Sequence, residues 1–222
     1  MAIRKVKFVE GEYYHIYNRG VDKRKIFSNK ADLQRFFQGM EEFNVKEPIG
    51  SLYLNTFNKE KLRGPASQLV SFIAFCLNLN HYHFLLTPLV EKGVEKFMQR
   101  LGTGYTLYFN KKQKRSGSLF QGKFKSKHIN SNEYLLHISS YVNLNNYDKN
   151  GKIKNKLSMS SWEEYTKISN TNFCDKSITL GQFQTIKEYQ KFALESWNET
   201  CKRKEEIKDF EFELKLRGRT SQ

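Results

Sequence analysis

The chain has 222 residues, 38% of them hydrophobic and 14% aromatic, which is enough apolar side chain to bury a core and excludes a disordered composition. The formal net charge is +15 with a pI near 9.6, a balance that points to a polyanionic partner, either nucleic acid or an anionic membrane. No apolar run approaches the roughly 20 residues of a membrane span. The longest, 69–79, is interrupted by Ser71 and Asn78, and MAIRKVKFVEGEYY has no apolar signal core. Nucleic acid is therefore the expected partner and the cytoplasm the expected compartment. Cys76, Cys174 and Cys201 are far apart and form no CxxC pair, so reduced thiols are expected, with Cys76 as a small core residue.

In chain order, YYHIYNR (13–19) alternates and is rich in aromatics, which predicts a strand, with Gly20 as a turn. Asn29 can cap a helix over about 31–44 that aligns Leu33, Phe36, Phe37 and Met40. Residues 46–67, with Pro48, Gly50, Gly64 and Pro65, read as loop with a short strand near 51–57. LVSFIAFCLNL (69–79) suits a buried central strand. A tight turn near Asn80 leads into a second strand, HYHFLLTP, ended by Pro88. Over 91–112, Val94, Phe97, Met98, Leu101, Tyr105 and Tyr108 recur at helical spacing, with Gly102 and Gly104 weakening the middle.

KKQKRSGS follows as a basic turn, and LFQGKFKSKHI (119–129) reads as a strand with Lys123, Lys125 and Lys127 on one face. A helix over about 132–145, capped by Ser131 or Asn132, comes next. Residues 147–158 resemble a linker, and helical patterns occupy 160–168, 184–197 and 199–215, the last highly charged and expected to be solvated. Strand, helix, strand, strand, helix, strand, helix is the βαββαβ ferredoxin-like plan, an α+β fold with an antiparallel sheet and an added helix. The expected division is a core domain, 1–147, and a helical C-terminal extension, 148–222. The strands carrying Phe75 and His83 are expected as the two inner, neighbouring ones.

Side chains alternate along a strand, so His81 and His83 project from one face and Tyr82 from the other. Two imidazoles so placed can grip one metal ion, although hydrogen-bonded strand histidines also occur without metal. In NEYLLHISSYVNLN, Leu135, Ile138 and Val142 form a core stripe, while His137, Tyr141 and Asn145 recur one turn apart on another. A phenol with an amide one turn later can meet a bound metal. Read alone, the same residues suit a half-buried aromatic and a helix cap. Tyr105 and Tyr108 are rival phenols, but Phe109 and Lys112 stand where a ligand would follow, so core or stacking roles suit them better. His15 is expected to pack beside the sheet, and His128 to touch DNA at most.

HYHFLLTP after an apolar strand, GSLFQGKFKS after a helix, and YVNLN at the end of the next helix together resemble the HUH single-tyrosine transposases, IS200-like, and within them the REP-associated tyrosine transposases. The resemblance spans roughly 12–146, and SSWEEY and FQTIKEYQKF are similar to the family's downstream segment. It implies His81, His83 and Asn145 as ligands of Mg²⁺ or Mn²⁺, and Tyr141 as a nucleophile that forms a covalent 5′-phosphotyrosine on single-stranded DNA near hairpins. His137 is a candidate to orient the phenol or act as its base. One departure is Asn146, where the family usually has proline.

Lys111, Lys112, Lys114 and Arg115, then Lys123, Lys125 and Lys127, form the densest basic region, interleaved with Phe120 and Phe124. Cations that track phosphates beside aromatics that stack on bases suit single strands. Arg19, Lys23, Arg24 and Lys25 add a second patch. A non-catalytic RNA-binding module on the same plan is the competing reading, but neither central strand carries the RNP1 pattern. A replication initiator or relaxase of the wider HUH group is a third, usually on a larger chain. The resemblance leaves open a monomer or a homodimer.

Overall fold

The structure is a computed structural model that describes residues 7–47, 49–50, 52, 68–166, 168 and 171–217. The short strand expected near 51–57 falls, but for Leu52, outside the described residues. The core elements are β1 (Tyr13–Arg19), α1 (Lys30–Glu42), β2 (Val70–Asn78), β3 (His81–Pro88), α2 (Gly93–Lys112), β4 (Lys125–Ile129) and α3 (Asn132–Leu144). Beyond them lie β5 (Met159–Ser160), the single-turn helices α4 (Trp162–Tyr165) and α5 (Ser177–Leu180), and α6 (Ile186–Arg217).

Among the described residues the strands form one antiparallel sheet in the order β4-β1-β3-β2-β5. Its first four strands have the ferredoxin-like arrangement expected from the sequence. The strands of Phe75 and His83 are neighbours, as expected, but the centre is β3, and its other neighbour is β1. The two expected helices at 184–197 and 199–215 run as one, α6, and the pattern at 160–168 gives only α4. The expected strand over 119–129 begins only at Lys125, because Gly122 takes a left-handed φ of 69° and breaks the extended run.

The register of β2 against β3 shifts between Phe72 and Ala74. Ile73 and Ala74 both face the side covered by α3, so the alternation is reset by a bulge. Val70 and Phe72 before it, and Phe75 and Leu77 after it, face α1 and α2 with Tyr82 and Phe84. Cys76 and Asn78 are thereby turned to the α3 side.

Two apolar cores result. One lies under α1 and α2 and includes Phe36, Met40, Phe97 and Tyr105. The other lies between the sheet and α3 and draws Trp162, Tyr165, Tyr189, Ala193 and Trp197 from the C-terminal extension. The extension also supplies the polar contacts of that core. The Tyr165 hydroxyl donates to Ile73 O at 2.8 Å, and the Asn143 amide donates to the Tyr189 hydroxyl at 2.9 Å.

The N-terminus of α1 is closed by a reciprocal cap, with Asp32 N donating to Asn29 Oδ1 at 3.1 Å and Ser28 N donating to Asp32 Oδ2 at 2.8 Å. The other Asp32 oxygen takes the Lys112 ammonium at 2.5 Å and the Tyr108 hydroxyl at 3.0 Å. Burial pushes this carboxyl up, but Lys112, the Ser28 amide and Tyr108 together pull it below the ordinary carboxylate value. Lys112, expected among the DNA contacts, is thus tied to a fully buried carboxylate that fastens α2 to α1. Breaking a wholly buried pair costs roughly 3–5 kcal/mol. The Lys112 side chain is 31% exposed, so Lys112→Met is expected to cost about 2 kcal/mol in urea unfolding. Because the Asp32 pKa is depressed on folding, that contribution is fully present above the ordinary carboxylate value and fades as pH falls through the lower folded value.

Candidate functional site

The strand pairings set the site out in rows across one face of the sheet. Residues paired directly across strands share a face, and Arg19 pairs with His81, which pairs with Asn78. In the next row Lys125 pairs with Tyr17, Tyr17 with His83, and His83 with Cys76. In the third, Lys127 pairs with His15 and His15 with Leu85. Tyr82 points the other way, into the core under α1 and α2.

Helix α3 lies over these rows, held in place by Leu135 and Val142, and presents Tyr141 and Asn145 to them. The Tyr141 ring stands edge-on to His83, with centroids 5.4 Å apart, and to His15 at 5.9 Å. Asn145 Oδ1 lies 3.2 Å from His81 Nε2 and accepts from Asn78 Nδ2 at 2.9 Å. The same Asn78 nitrogen is 3.2 Å from His81 Nε2 and 3.4 Å from the Cys76 sulfur. Asn145 ends α3 as its cap, but its side chain belongs to the site.

The tautomer of His81 follows from its neighbours. Asn80 Nδ2 donates to Lys23 O at 3.0 Å, so the Asn80 oxygen is the atom 2.7 Å from His81 Nδ1. An amide oxygen cannot donate, so Nδ1 carries the hydrogen and Nε2 is bare. Two lone-pair atoms, His81 Nε2 and Asn145 Oδ1, are therefore held side by side by one Asn78 amide. His81 Nε2 and Asn145 Oδ1 would be among the donors to a divalent cation. Burial lowers the His81 pKa, the Asn145 contact opposes this, and Lys154, Lys204 and Arg19 lower it further. His83 is held well below its ordinary value by burial, then by the neighbouring His15 and His81. Both imidazoles are thus kept neutral, the form that ligates metal. The donor set of two imidazoles and an amide oxygen suits Mg²⁺ or Mn²⁺, the latter better. Among the described residues no cluster of three or more His, Cys, Asp or Glu side chains could hold a metal.

Burial raises the Tyr141 pKa, and a hydrogen bond from the Asn145 side chain pulls it back. The phenol stays protonated at neutral pH, next to the Asn145 side chain, which favours its ionised form. The rival phenols do not reach the site. Tyr105 is buried and donates to Ile26 O at 2.5 Å, and Tyr108 serves Asp32.

The other expected residues divide. His137 turns away from the rows, with Nδ1 2.7 Å from Ser196 Oγ and its ring against Phe192. His128 meets Glu12 at 2.9 Å. Phe120 is buried in the α1/α2 core and Phe124 packs against it, so neither ring lies open on the histidine face. Lys123 lines a groove with Phe124 on the α2 side of the sheet. Arg115 is engaged with Asn110 Oδ1 and Ser118 O, while Lys111 and Lys114 stay exposed at the end of α2. Arg24 is exposed and donates to Val21 O at 3.1 Å. Arg19, Lys23 and Lys125 do come together, with Tyr17, Gln121 and both histidines, around a recess of about 400 Å³. Lys127 shares their face and sits 4.6 Å over the Tyr134 ring.

Several residues escaped the sequence reading. His15, expected merely to pack beside the sheet, bonds His83 with its Nε2 2.9 Å from Nδ1. Its parity with Tyr17 and Arg19 was the available signal. Asn78 had none, because the β2 bulge decides its face. The extension, expected to be solvated at its end, reaches the site. Lys154 Nζ donates to Asn145 O at 3.0 Å, and Lys204 lies 4.7 Å over the Tyr141 ring. Both lysines also lie over Trp197, at 5.0 and 5.3 Å. Asn146, in place of the usual proline, uses the backbone group that proline lacks to bond the Cys76 sulfur.

No curated protein matches the sequence. A solved structure of a REP-associated tyrosine transposase bound to a REP hairpin overlays 81% of this chain and 97% of its own, with a TM-score of 0.45 and 10% identity. Residues 53–145 match the model of the family described as transposase IS200 like. That segment carries His81, His83, Tyr141 and Asn145, and over it the chain is similar to the IS200-like transposases, as its motifs led one to expect.

Proposed function

We propose that the protein is a metal-dependent single-strand DNA endonuclease and strand transferase that cuts beside hairpins and uses Tyr141 as its nucleophile. The observation that carries this reading is the convergence of Tyr141 and Asn145 from α3 on His81 and His83, beside the recess lined by Arg19, Lys23 and Lys125. His81, His83 and Asn145 hold a divalent cation, Mg²⁺ or Mn²⁺, which when bound supplies positive charge to the non-bridging oxygens of a phosphodiester.

The chain's own groups do the rest. Arg19, Lys23 and Lys125 attract the strand and place its phosphates over the histidine rows. Lys154 and Lys204 add positive charge from the other side. Burial keeps Tyr141 a neutral phenol until a phosphate is seated, and the Asn145 hydrogen bond then favours the oxygen that attacks. The Oη–P bond forms, the P–O3′ bond breaks, and the phenolic proton passes to the released 3′ oxygen. The resulting 5′-phosphotyrosine keeps an ester that a 3′-hydroxyl can attack in turn, so rejoining needs no nucleotide cofactor. The polarity of this cut, the hairpin and a monomeric or dimeric state rest on the resemblance of HYH and YVNLN to the family. Among the described residues no helix is long and apolar enough to cross a membrane.

With Mn²⁺ and a hairpin-flanked single strand, the wild-type protein is expected to give a covalent adduct on a denaturing gel. Tyr141→Phe should give none, and Tyr108→Phe should give as much as wild type. An adduct that persists in Tyr141→Phe removes Tyr141 as nucleophile, and no adduct on any strand tested favours a binding module. His137→Gln should leave the adduct intact, because that side chain faces Ser196. The logarithmic salt dependence of single-strand affinity should fall by about 0.7 for Lys125→Met, the value for one lost phosphate contact, and stay unchanged for Lys112→Met.

A further inference from the structure

His81 and His83 are each held through Nδ1, but by different means. For His81 the holder is the Asn80 oxygen at 2.7 Å, whose orientation is fixed by the Lys23 carbonyl. For His83 it is a third imidazole, His15 Nε2, at 2.9 Å. Both members of this pair are buried, at 7% and 8% exposure, and their rings stack 5.1 Å apart at an interplanar angle of 22°. Tyr17 stacks on His15 at 5.0 Å and on His83 at 5.8 Å, and Tyr141 abuts the edge of His15, so the His15 ring has little freedom to turn.

A neutral imidazole has one N–H and one bare nitrogen. The contact between His15 and His83 therefore has two forms. If His15 donates, His83 Nδ1 accepts and its Nε2 carries the hydrogen, which leaves no lone pair for a cation. If His15 accepts, His83 Nδ1 donates and Nε2 is bare. We propose that His15 is the positioning residue of the site, accepting the Nδ1–H of His83 so that His83 Nε2 faces the cation, as Asn80 does for His81. The proposal rests on the reading of His83 as a metal ligand. Outer partners of this kind fix the tautomer and ring orientation of a ligating histidine. Here the partner is an imidazole, which is uncharged and able to exchange donor for acceptor.

The test combines two readouts on the purified full chain. Long-range ¹H–¹⁵N spectra of the histidine rings, with and without Zn²⁺ as a diamagnetic probe, should show His83 protonated at Nδ1 and ligated through Nε2. Titration with Mn²⁺ followed by electron paramagnetic resonance should show an affinity about 10–100-fold weaker in His15→Phe, which keeps the ring stack but has no acceptor. His15→Gln, whose amide oxygen can accept, should recover most of that loss. If His15→Phe binds Mn²⁺ as wild type does, or His83 ligates through Nδ1, the inference fails while the metal site stands. If wild type binds neither ion, or His83→Ala binds Mn²⁺ unchanged, the metal reading itself fails and the role of His15 with it. The spectra of the wild-type chain need no variant, so the question is answered even if His15→Phe does not fold.

Discussion

Side chains alternate along a strand, so a slip of one residue between β1 and β3 would send His15, Tyr17 and Arg19 into the core under α1 and α2. The pairing of Tyr17 with His83 and of Arg19 with His81 is what sets a cationic edge, a stacked histidine pair and the Tyr141 ring side by side. That register is enforced from the opposite face. Tyr14 and Ile16 are buried with Tyr82 and Phe84, and a slip of one residue would turn one pair out of that core. The apolar core thus fixes the polar site, and the polar residues themselves are free to differ.

The same division explains what could be read in advance. β1 and β3 were legible to the residue because each obeys a simple alternation between the two faces. One helical turn puts Tyr141 and Asn145 on one face of α3, but only the resemblance of HYH and YVNLN to the family tied that face to the histidines. What escaped depends on pairing or on distant chain. His15 matters only once β1 is known to lie beside β3. Asn78 reaches Asn145 only because the β2 bulge reverses its face. The charge run at 111–127 looked uniform, yet the fold splits it. Lys112 serves Asp32, Phe120 enters a core, and Lys125 and Lys127 alone join the histidine face. Charge counted along a sequence does not reveal which carboxylate a lysine will meet.

Electrostatically, the site combines buried neutral imidazoles with peripheral cations. Burying an imidazole suppresses its charged form, and Arg19, Lys154 and Lys204 around His81 suppress it further. The imidazoles therefore stay neutral at neutral pH while the surroundings stay positive. Part of this character comes from the extension, through Lys154, Lys204 and the Trp197 ring they share.

The residues gathered here run from His15 on the first strand to Lys204 on α6, nearly the whole described length. A chain still being synthesised has no complete site until α6 has emerged and packed on α3. Its core before that point leaves the Tyr189 and Trp197 positions empty and Tyr141 without its cover. The surroundings of Tyr141 are thus completed last, so that partial translation products and truncated copies lack the finished arrangement around it.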